Sequence, residues 1–556
     1  MKTKPQSIIV MNSMYRNTFL MVITAMASLH AAAQRDTTKQ TINITSSYQP
    51  VLRNAVKINF SGSQLIADTS TTVRPYIIPA QNLFYSYQPV ALKALALQQD
   101  TNLYLGGRNY IKAGFGNFAT PYGKAALSFG DGKTLLFNMY GNYIGSKGKI
   151  KNQEYAQFSG GAVISYFTKG LEIYGGASMS RRDYRLYGYD HAIYNYGKSD
   201  VKQQLQDVTI KAGVRNTAET DYRISYNPTV EANIFSNVSK LNETTFKINV
   251  PVEKKFGDNF ILKVAANADL TNYYSKGVIP SNYNFNNNVI QVSPSLIYGD
   301  EKLNVNAGII PTWSNGKFEW LPNIYAEYQL QEKVFMIQAG WVGRYVKNTY
   351  RNLSMINPYL APFSSQTNTK EMEFYGGIKA SIAKHFNFNA KAGLIRYTDL
   401  PFLINDTATD GKAFLLSNES KVNNFRVHGD ISYISQEKFT ATAGVTFNGY
   451  TGMKENSRAW HTVPVEFNAS LRWWAFKQVL LKADFYMFGQ GHYLTKGNLS
   501  YVLKPGSDLS AGAEFRITKQ FSAWLDVNNI FNNKYERWHG YEVLGLNLLG
   551  GVRFDF

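Results

Sequence analysis

Three stretches of this 556-residue sequence hold side chains whose types and spacing could do chemistry. In Phe425-Arg426-Val427-His428-Gly429-Asp430-Ile431, the residues Arg426, His428 and Asp430 recur at every second position, so a strand would set a base and its carboxylate on one face. A hydrolase would also need a nucleophile held against that base, and no motif places a serine or a second histidine there, which favours a ladder of charges over a catalytic dyad. Gly130-Asp131-Gly132-Lys133-Thr134 imitates the end of a phosphate-binding loop, yet the first glycine of that motif would fall at Leu127. Leu135, Phe137 and Met139 then alternate as in a strand, where the motif requires a helix, so a hairpin turn is expected. Asp406 and Asp410, beside Asn405, lack the spacing of a calcium loop and read as a solvated connection. With Cys 0, thiol nucleophiles, thiolate metal sites and disulfide frameworks are excluded. The expectation is a protein that is not an enzyme, with no catalytic residue, no cofactor and no metal.

One further cluster points to recognition instead of reaction. Tyr184, Tyr187, Tyr189, Tyr194 and Tyr196 crowd the stretch Arg182 to Gln203 among basic residues. Such rings stack on sugars or other flat ligands while neighbouring cations meet anionic groups, and they also pack on one another with no ligand at all. Both readings stand.

The elements that must carry these residues are strands. Phe260, Leu262, Val264, Ala266, Ala268 and Leu270 alternate with Ile261, Lys263, Ala265, Asn267 and Asp269, and the pattern returns at Leu481 to Met487 and at Leu509 to Ile517. Each such segment has one apolar and one polar face, and so long a series cannot share one dry core. No run after the N-terminus reaches the ~20 apolar residues of a spanning helix, and the mean hydropathy is −0.28. Tyr 38 and Phe 34 suit the aromatic girdles of a membrane barrel. The net charge of +19 is spread along the chain with no basic stripe, which argues against nucleic acid and for loops or a lumen that attract anionic solutes and lipopolysaccharide. The chain stops on Leu546 to Phe556, in which Leu546, Leu548, Gly550, Val552, Phe554 and Phe556 share a face; this strand is expected to close the barrel.

The connections alternate in length. Short turns fall at Gly130 to Lys133, Thr168 to Gly170, Asn216 to Asp221, Lys254 to Asn259, Tyr298 to Lys302, Gln329 to Lys333, Lys384-His385, Ser435 to Lys438, Lys477-Gln478 and Thr518 to Gln520. Longer links span Arg182 to Gln203, Tyr274 to Asn288, Tyr350 to Lys370, Asp399 to Lys421, His492 to Ser507 and Asn532 to Gly545. That asymmetry predicts an all-β fold: a single large transmembrane antiparallel β-barrel of about 22 strands, with short periplasmic turns and long extracellular loops. Trp473-Trp474 and Tyr166-Phe167, each beside a short turn, are expected in the periplasmic girdle.

Lys2, Lys4 and Arg16, the apolar run Phe19 to Leu29 and Ala31-Ala32-Ala33 have the order of a signal peptide over residues 1–33, cleaved before Gln34. Residues 34–108 break into short extended pieces at Pro50, Pro75, Pro79 and Pro89, and Ser47 to Val51 recurs as Ser86 to Val90. This segment hangs in the periplasm or enters the lumen, and the barrel occupies 109–556.

Leu525-Asp526-Val527-Asn528-Asn529-Ile530-Phe531-Asn532-Asn533-Lys534-Tyr535, followed by Gly545 to Phe556, resembles the end of TonB-dependent receptor barrels, with Ile530 and Asn533 as conservative departures. Tyr48, Pro50 and Lys57-Ile58-Asn59-Phe60 look like the N-terminal segment of receptor-like barrels of Bacteroidota. The resemblance implies receptor or transporter function at the outer membrane, with a solute to be bound or passed. It also implies a plug domain of well over a hundred residues, for which residues 34–108 are too short. Thr41-Ile42-Asn43-Ile44-Thr45 resembles a TonB box, so Ile42, Ile44, Tyr48 and Pro50 form the candidate docking segment for a TonB-type or other envelope partner. The competing expectation is a structural or assembly subunit of an envelope complex without transport.

Overall fold

The structure is a computed structural model that describes residues 109–556 apart from 277–282, 332–334, 383–384, 436–437, 496 and 498. The expected leader 1–33, the segment 34–108 and with it Ile42, Ile44, Tyr48 and Pro50 lie outside the described residues.

The alternating segments form one antiparallel sheet closed on itself. Twenty-three stretches hydrogen-bond around it; Ile224–Tyr226 and Thr229–Asn237 both pair with Leu241–Phe256 and form one strand interrupted at Asn227-Pro228, so the ring has 22 strands. Proline has no N–H to give the ladder, and the break falls where Pro228 sits. The last strand Asn547–Asp555 pairs with the first, Tyr110–Gly116, in register from Tyr110↔Asp555 to Gly116↔Leu549. Closure needs glycine: a Cβ on Gly551 would collide with the Ala113 carbonyl, and one on Gly114 with the Trp524 indole. Asn117 clasps the join, donating to the Leu546 carbonyl (2.9 Å) and accepting the Leu548 N–H (3.0 Å).

The two faces divide as the period of two requires. Phe115, Leu525, Leu548 and Val552 stand exposed on the outer wall, as do Leu262 and Val264 on the strand Phe260–Ser275. Burying such side chains in hydrocarbon is favourable, and a ring leaves no unpaired edge there. The inner wall is a charge ladder: Lys263–Glu253 (2.7 Å), Lys391–Glu373 (2.8 Å), Arg215–Glu172 (2.5 Å) and Arg472–Asp484 (2.9 Å). Tyr166 and Trp473 are exposed on the outer wall next to the short turns, with Trp474 on the inner face of its strand beneath the Arg516 guanidinium (5.3 Å).

The seven expected short turns that lie wholly among the described residues link consecutive strands at one end, and those at Gln329 to Lys333, Lys384-His385 and Ser435 to Lys438 fall partly outside them. At the opposite end two expected links are mostly strand. Tyr274 to Asn288 reads as a loop for its asparagines, yet Asn272 donates to Asn284 (2.8 Å) and Asn286 (3.0 Å) across the ladder, and Tyr273 stacks on Phe285. Asp399 to Lys421 contains a proline and three aspartates, but the pairing runs on from Leu400↔Glu419 to Asn405↔Phe414 after a break at Asp399, whose φ is 58°. Three links at that end are tight turns, at 117–119, 238–240 and 315–316.

Candidate functional site

The longer links at the extracellular end fold inward and meet. Tyr187, from the tyrosine-rich link, packs edge-on against Tyr541 (4.8 Å between centroids), and Tyr541 lies flat on Tyr359, with ring planes 17° apart. These three rings come from links at different positions around the ring of strands, so they can touch only over the mouth. Ile144, Tyr184, Leu205, Phe235, Tyr273, Tyr350, Phe414 and Trp538 join them in one buried cluster. The barrel thus has a second core, built across its opening. A fully buried aromatic side chain contributes on the order of 2–3 kcal/mol by area alone, and edge-on pairs add to this.

Polar anchors hold the cap in place. Tyr187 O–H and Gln153 Nε2 both donate to the Glu542 carbonyl, each at 2.8 Å, and the Tyr541 hydroxyl donates to the Lys412 carbonyl. Burial pushes the hydroxyls of Tyr187, Tyr359 and Tyr541 up, which keeps them neutral donors. The only α-helix among the described residues, Tyr350–Ile356, docks on the inner wall. Thr349 caps it, accepting the Asn352 N–H (3.1 Å), while Asn357-Pro358 ends it. Glu243 accepts the Tyr350 N–H (2.7 Å), Arg351 pairs with Asp207 (2.6 Å), and Lys347 pairs with Asp269. Three wall carboxylates therefore seat one short helix.

The link 452–464 is held differently. Glu419, with no exposed surface, accepts the backbone N–H groups of Lys454 (2.6 Å), Glu455 (3.1 Å) and Asn456 (2.9 Å). Glu455 answers by accepting from the Ser420 hydroxyl (2.6 Å). Further along, His461 Nδ1 lies 2.7 Å from the Leu403 carbonyl and Arg537 donates to the His461 carbonyl (2.6 Å). Burial holds the His461 imidazole down to about 3, so it is neutral at physiological pH, and its Nδ1 is then the donor to Leu403.

The residues singled out in the sequence fall in different places. Tyr184, Tyr187 and Tyr189 are buried, the first two in the cap core, whereas Tyr194 and Tyr196 are half-exposed and stacked in parallel, 8° apart. Arg426, His428 and Asp430 line the inner wall: Arg426 donates to the Tyr397 hydroxyl (2.7 Å), and His428 sits between Thr446 (2.8 Å) and Asp430 (3.2 Å). Asp131 closes a hairpin turn by accepting the N–H groups of Lys133 (2.9 Å), Thr134 (2.7 Å) and Leu135 (3.0 Å), which hold its carboxyl well below the usual range. Asp406 bonds Thr409 (2.6 Å), Asp410 pairs with Lys412 and accepts from Tyr196 (2.7 Å), and no metal-ligand cluster occurs among the described residues. Leu548, Val552 and Phe556 face outward as the closing strand requires, with Leu546 above it and Phe554 stacked on Phe556. Sequence reading missed the helix, the link 452–464 and the anchors Glu243 and Glu419. Thr349 and Asn357-Pro358 are the usual start and stop signals of a helix and mark the first; the anchors have only long-range partners and leave no local trace.

The receptor-like stretch at Leu525 to Tyr535 has a structural role. Asn529 and Asn532 adopt positive φ (48° and 52°), a conformation asparagine tolerates, and turn the chain into the final link. Asn529 donates to the Asn533 (2.8 Å) and Leu544 (2.9 Å) carbonyls, and Asn532 accepts the Leu546 N–H (2.9 Å).

This architecture has solved counterparts. The barrel superposes on the FrpB iron transporter from Neisseria meningitidis with a TM-score of 0.64 at 12% identity, covering 81% of this chain and 82% of that one. The siderophore receptor PirA from Acinetobacter baumannii gives 0.62 at 9% identity, covering 81% and 80%. The shared fold is a closed outer-membrane β-barrel of 22 antiparallel strands. A complex of FpvAI with pyocin S2 gives 0.61 at 11% identity, over 81% of this chain and 70% of that one. No protein-family model matches the sequence, and no curated protein matches it either. A closed barrel with an apolar outer wall belongs in the outer membrane, and its fold is the one these solved structures share.

Proposed function

We propose that this protein is a gated outer-membrane receptor that binds a small solute at its extracellular face and passes it through the lumen. The observation that carries this reading is the cap: links from several sides of the ring bury their aromatic rings against one another over an inner wall lined with paired charges. A mouth shut by loops, and not by the wall itself, can open without breaking the ladder that holds the barrel in lipid. The segment containing Ile42, Ile44, Tyr48 and Pro50 is the proposed docking site for an energising TonB-type envelope protein, and Tyr48, Pro50 and Lys57-Ile58-Asn59-Phe60 support the Bacteroidota receptor-like type. Tyr194 and Tyr196, half-exposed on the cap, are the proposed ligand-facing members of the tyrosine cluster. The structural counterparts include an iron transporter and siderophore receptors, so ferric siderophores head the panel of solutes to try. Proteoliposomes containing the full chain should bind one member of such a panel in a saturable manner, and deleting residues 34–100 should open a large conductance. Absence of both binding and conductance, together with a stably co-purifying partner, would overturn it.

A further inference from the structure

The links 147–154 and 186–201 enclose a cleft of about 520 Å³ lined by Lys151, Asn152, Glu154, Asn195, Tyr196 and Lys198, with Ile150 as its single aliphatic wall. It opens on the extracellular side, apart from the charge ladder of the lumen. Its lining is fixed before any ligand arrives. Gln153 accepts the N–H groups of Lys149 (3.0 Å) and Ile150 (3.2 Å), and Tyr196 donates to Asp410 (2.7 Å). Glu154 pairs with Lys198 (2.9 Å).

Two features ask for a ligand. Asn152 is 96% buried, its own exposure being 4%, and its amide donates to the Tyr189 hydroxyl (2.9 Å) and the Tyr196 carbonyl (3.3 Å). The carbonyl fixes the amide's orientation and leaves the carboxamide oxygen without a partner. A buried acceptor left unsatisfied costs about 1–3 kcal/mol, so the position calls for a donor such as a hydroxyl. Lys151, in contrast, meets only the Asn195 amide oxygen, and among the described residues no carboxylate lies within ion-pairing distance of it. Lys147 and Lys149 stand on the same link, which therefore presents a run of three cations. An unpaired cation at a polar cleft attracts an anion.

We propose that this cleft binds an anionic saccharide, with Lys151 and Lys198 holding the phosphate or carboxylate and Asn152 and Asn195 receiving the hydroxyls. A bare anion can meet the lysines but cannot reach the Asn152 and Asn195 oxygens with several hydroxyls at once, and a hydrophobic chelate would find a single aliphatic side chain, so a hydroxylated ring bearing a charged group fits the lining best. The proposal rests on the reading of these links as the ligand-facing surface and is independent of whether the lumen conducts. The same chemistry could come from a free sugar phosphate or from the phosphorylated core of lipopolysaccharide in the surrounding leaflet.

The test is calorimetry on the full-length protein in nanodiscs with glucose 6-phosphate, glucose and inorganic phosphate as probes. Glucose 6-phosphate should bind at least about tenfold more tightly than either control, and K151Q/K198Q should weaken it about tenfold or more while keeping heat-modifiable gel mobility. Repeating the titration in discs containing lipopolysaccharide separates the sources: competition identifies the membrane-borne sugar, and unchanged affinity identifies the free one. No binding of glucose 6-phosphate in discs free of lipopolysaccharide, equal binding of inorganic phosphate, or unchanged affinity in the double variant would overturn the proposal. Failure here leaves the uptake and conductance tests of the transport reading untouched, and failure there leaves this one untouched.

Discussion

The two sides of the barrel are built to different heights. Around the seam, the strands Tyr110–Gly116, Gly506–Arg516, Phe521–Asn528 and Asn547–Asp555 run 7 to 11 residues, about what a tilted strand needs to cross hydrocarbon. Further around the ring, Phe386–Asn405 and Phe414–Ser435 run 20 and 22 residues. The surplus rises above the bilayer, where Leu400, Phe402, Leu403 and Phe414 are buried instead of facing lipid. The short side is answerable only to the membrane, and the tall side also builds the cap. Sequence changes should therefore separate barrel closure from cap integrity according to where they fall.

The largest expected effect is at the seam. Gly551→Val drives a side chain into the Ala113 carbonyl, so the last strand cannot join the first and the heat-modifiable folded band should be lost. Gly429→Ala on the tall side meets nothing nearer than 3.8 Å and should fold as the parent does. Equal tolerance at both positions would erase the contrast. Next comes Glu419→Ala, which strips the backbone N–H groups of Lys454, Glu455 and Asn456 of their acceptor. The Asn456 N–H, buried and then orphaned, costs about 1–3 kcal/mol, so hydrogen exchange should speed up through 452–464 while the ladder of Leu171–Arg185 stays protected.

The smallest effect is a pH dependence confined to the cap. His461 is held down to about 3 in the folded chain against 6.5 when exposed. Below 6.5 the opened cap takes up a proton that the closed cap refuses, so the stability present above 6.5 is lost as the pH falls toward 3. Exchange in 452–464 should accelerate across that window, and His461→Gln should flatten the response. An acid response carried equally by the seam strands would contradict the assignment to this residue.

The same comparison explains what could be read from residue order alone. The seam, the short turns and the outward faces were legible because a lipid-facing strand has a strict period of two and a turn such as Gly130 to Lys133 has its own chemistry. The tall extension was not, because Pro401 and the asparagines of Tyr283 to Asn288 carry loop signatures that cross-strand partners override. The tyrosine-rich link was visible as a cluster, but tyrosine suits burial and ligand contact alike, and only the rings of Tyr359 and Tyr541 from distant links decide that Tyr187 packs inward. Glu419 is one carboxylate among many until the N–H groups of Lys454, Glu455 and Asn456 converge on it.

The most direct measurement exploits the lack of cysteine in the sequence. A single Ser178→Cys places one thiol on the inner wall, and a membrane-impermeant maleimide is applied from outside intact cells. The thiol should stay unlabelled in the parent background and become reactive when Tyr359 and Tyr541 are both changed to alanine. Rapid labelling with the two tyrosines in place would mean that the mouth is open, and the closed cap on which the account depends would be wrong.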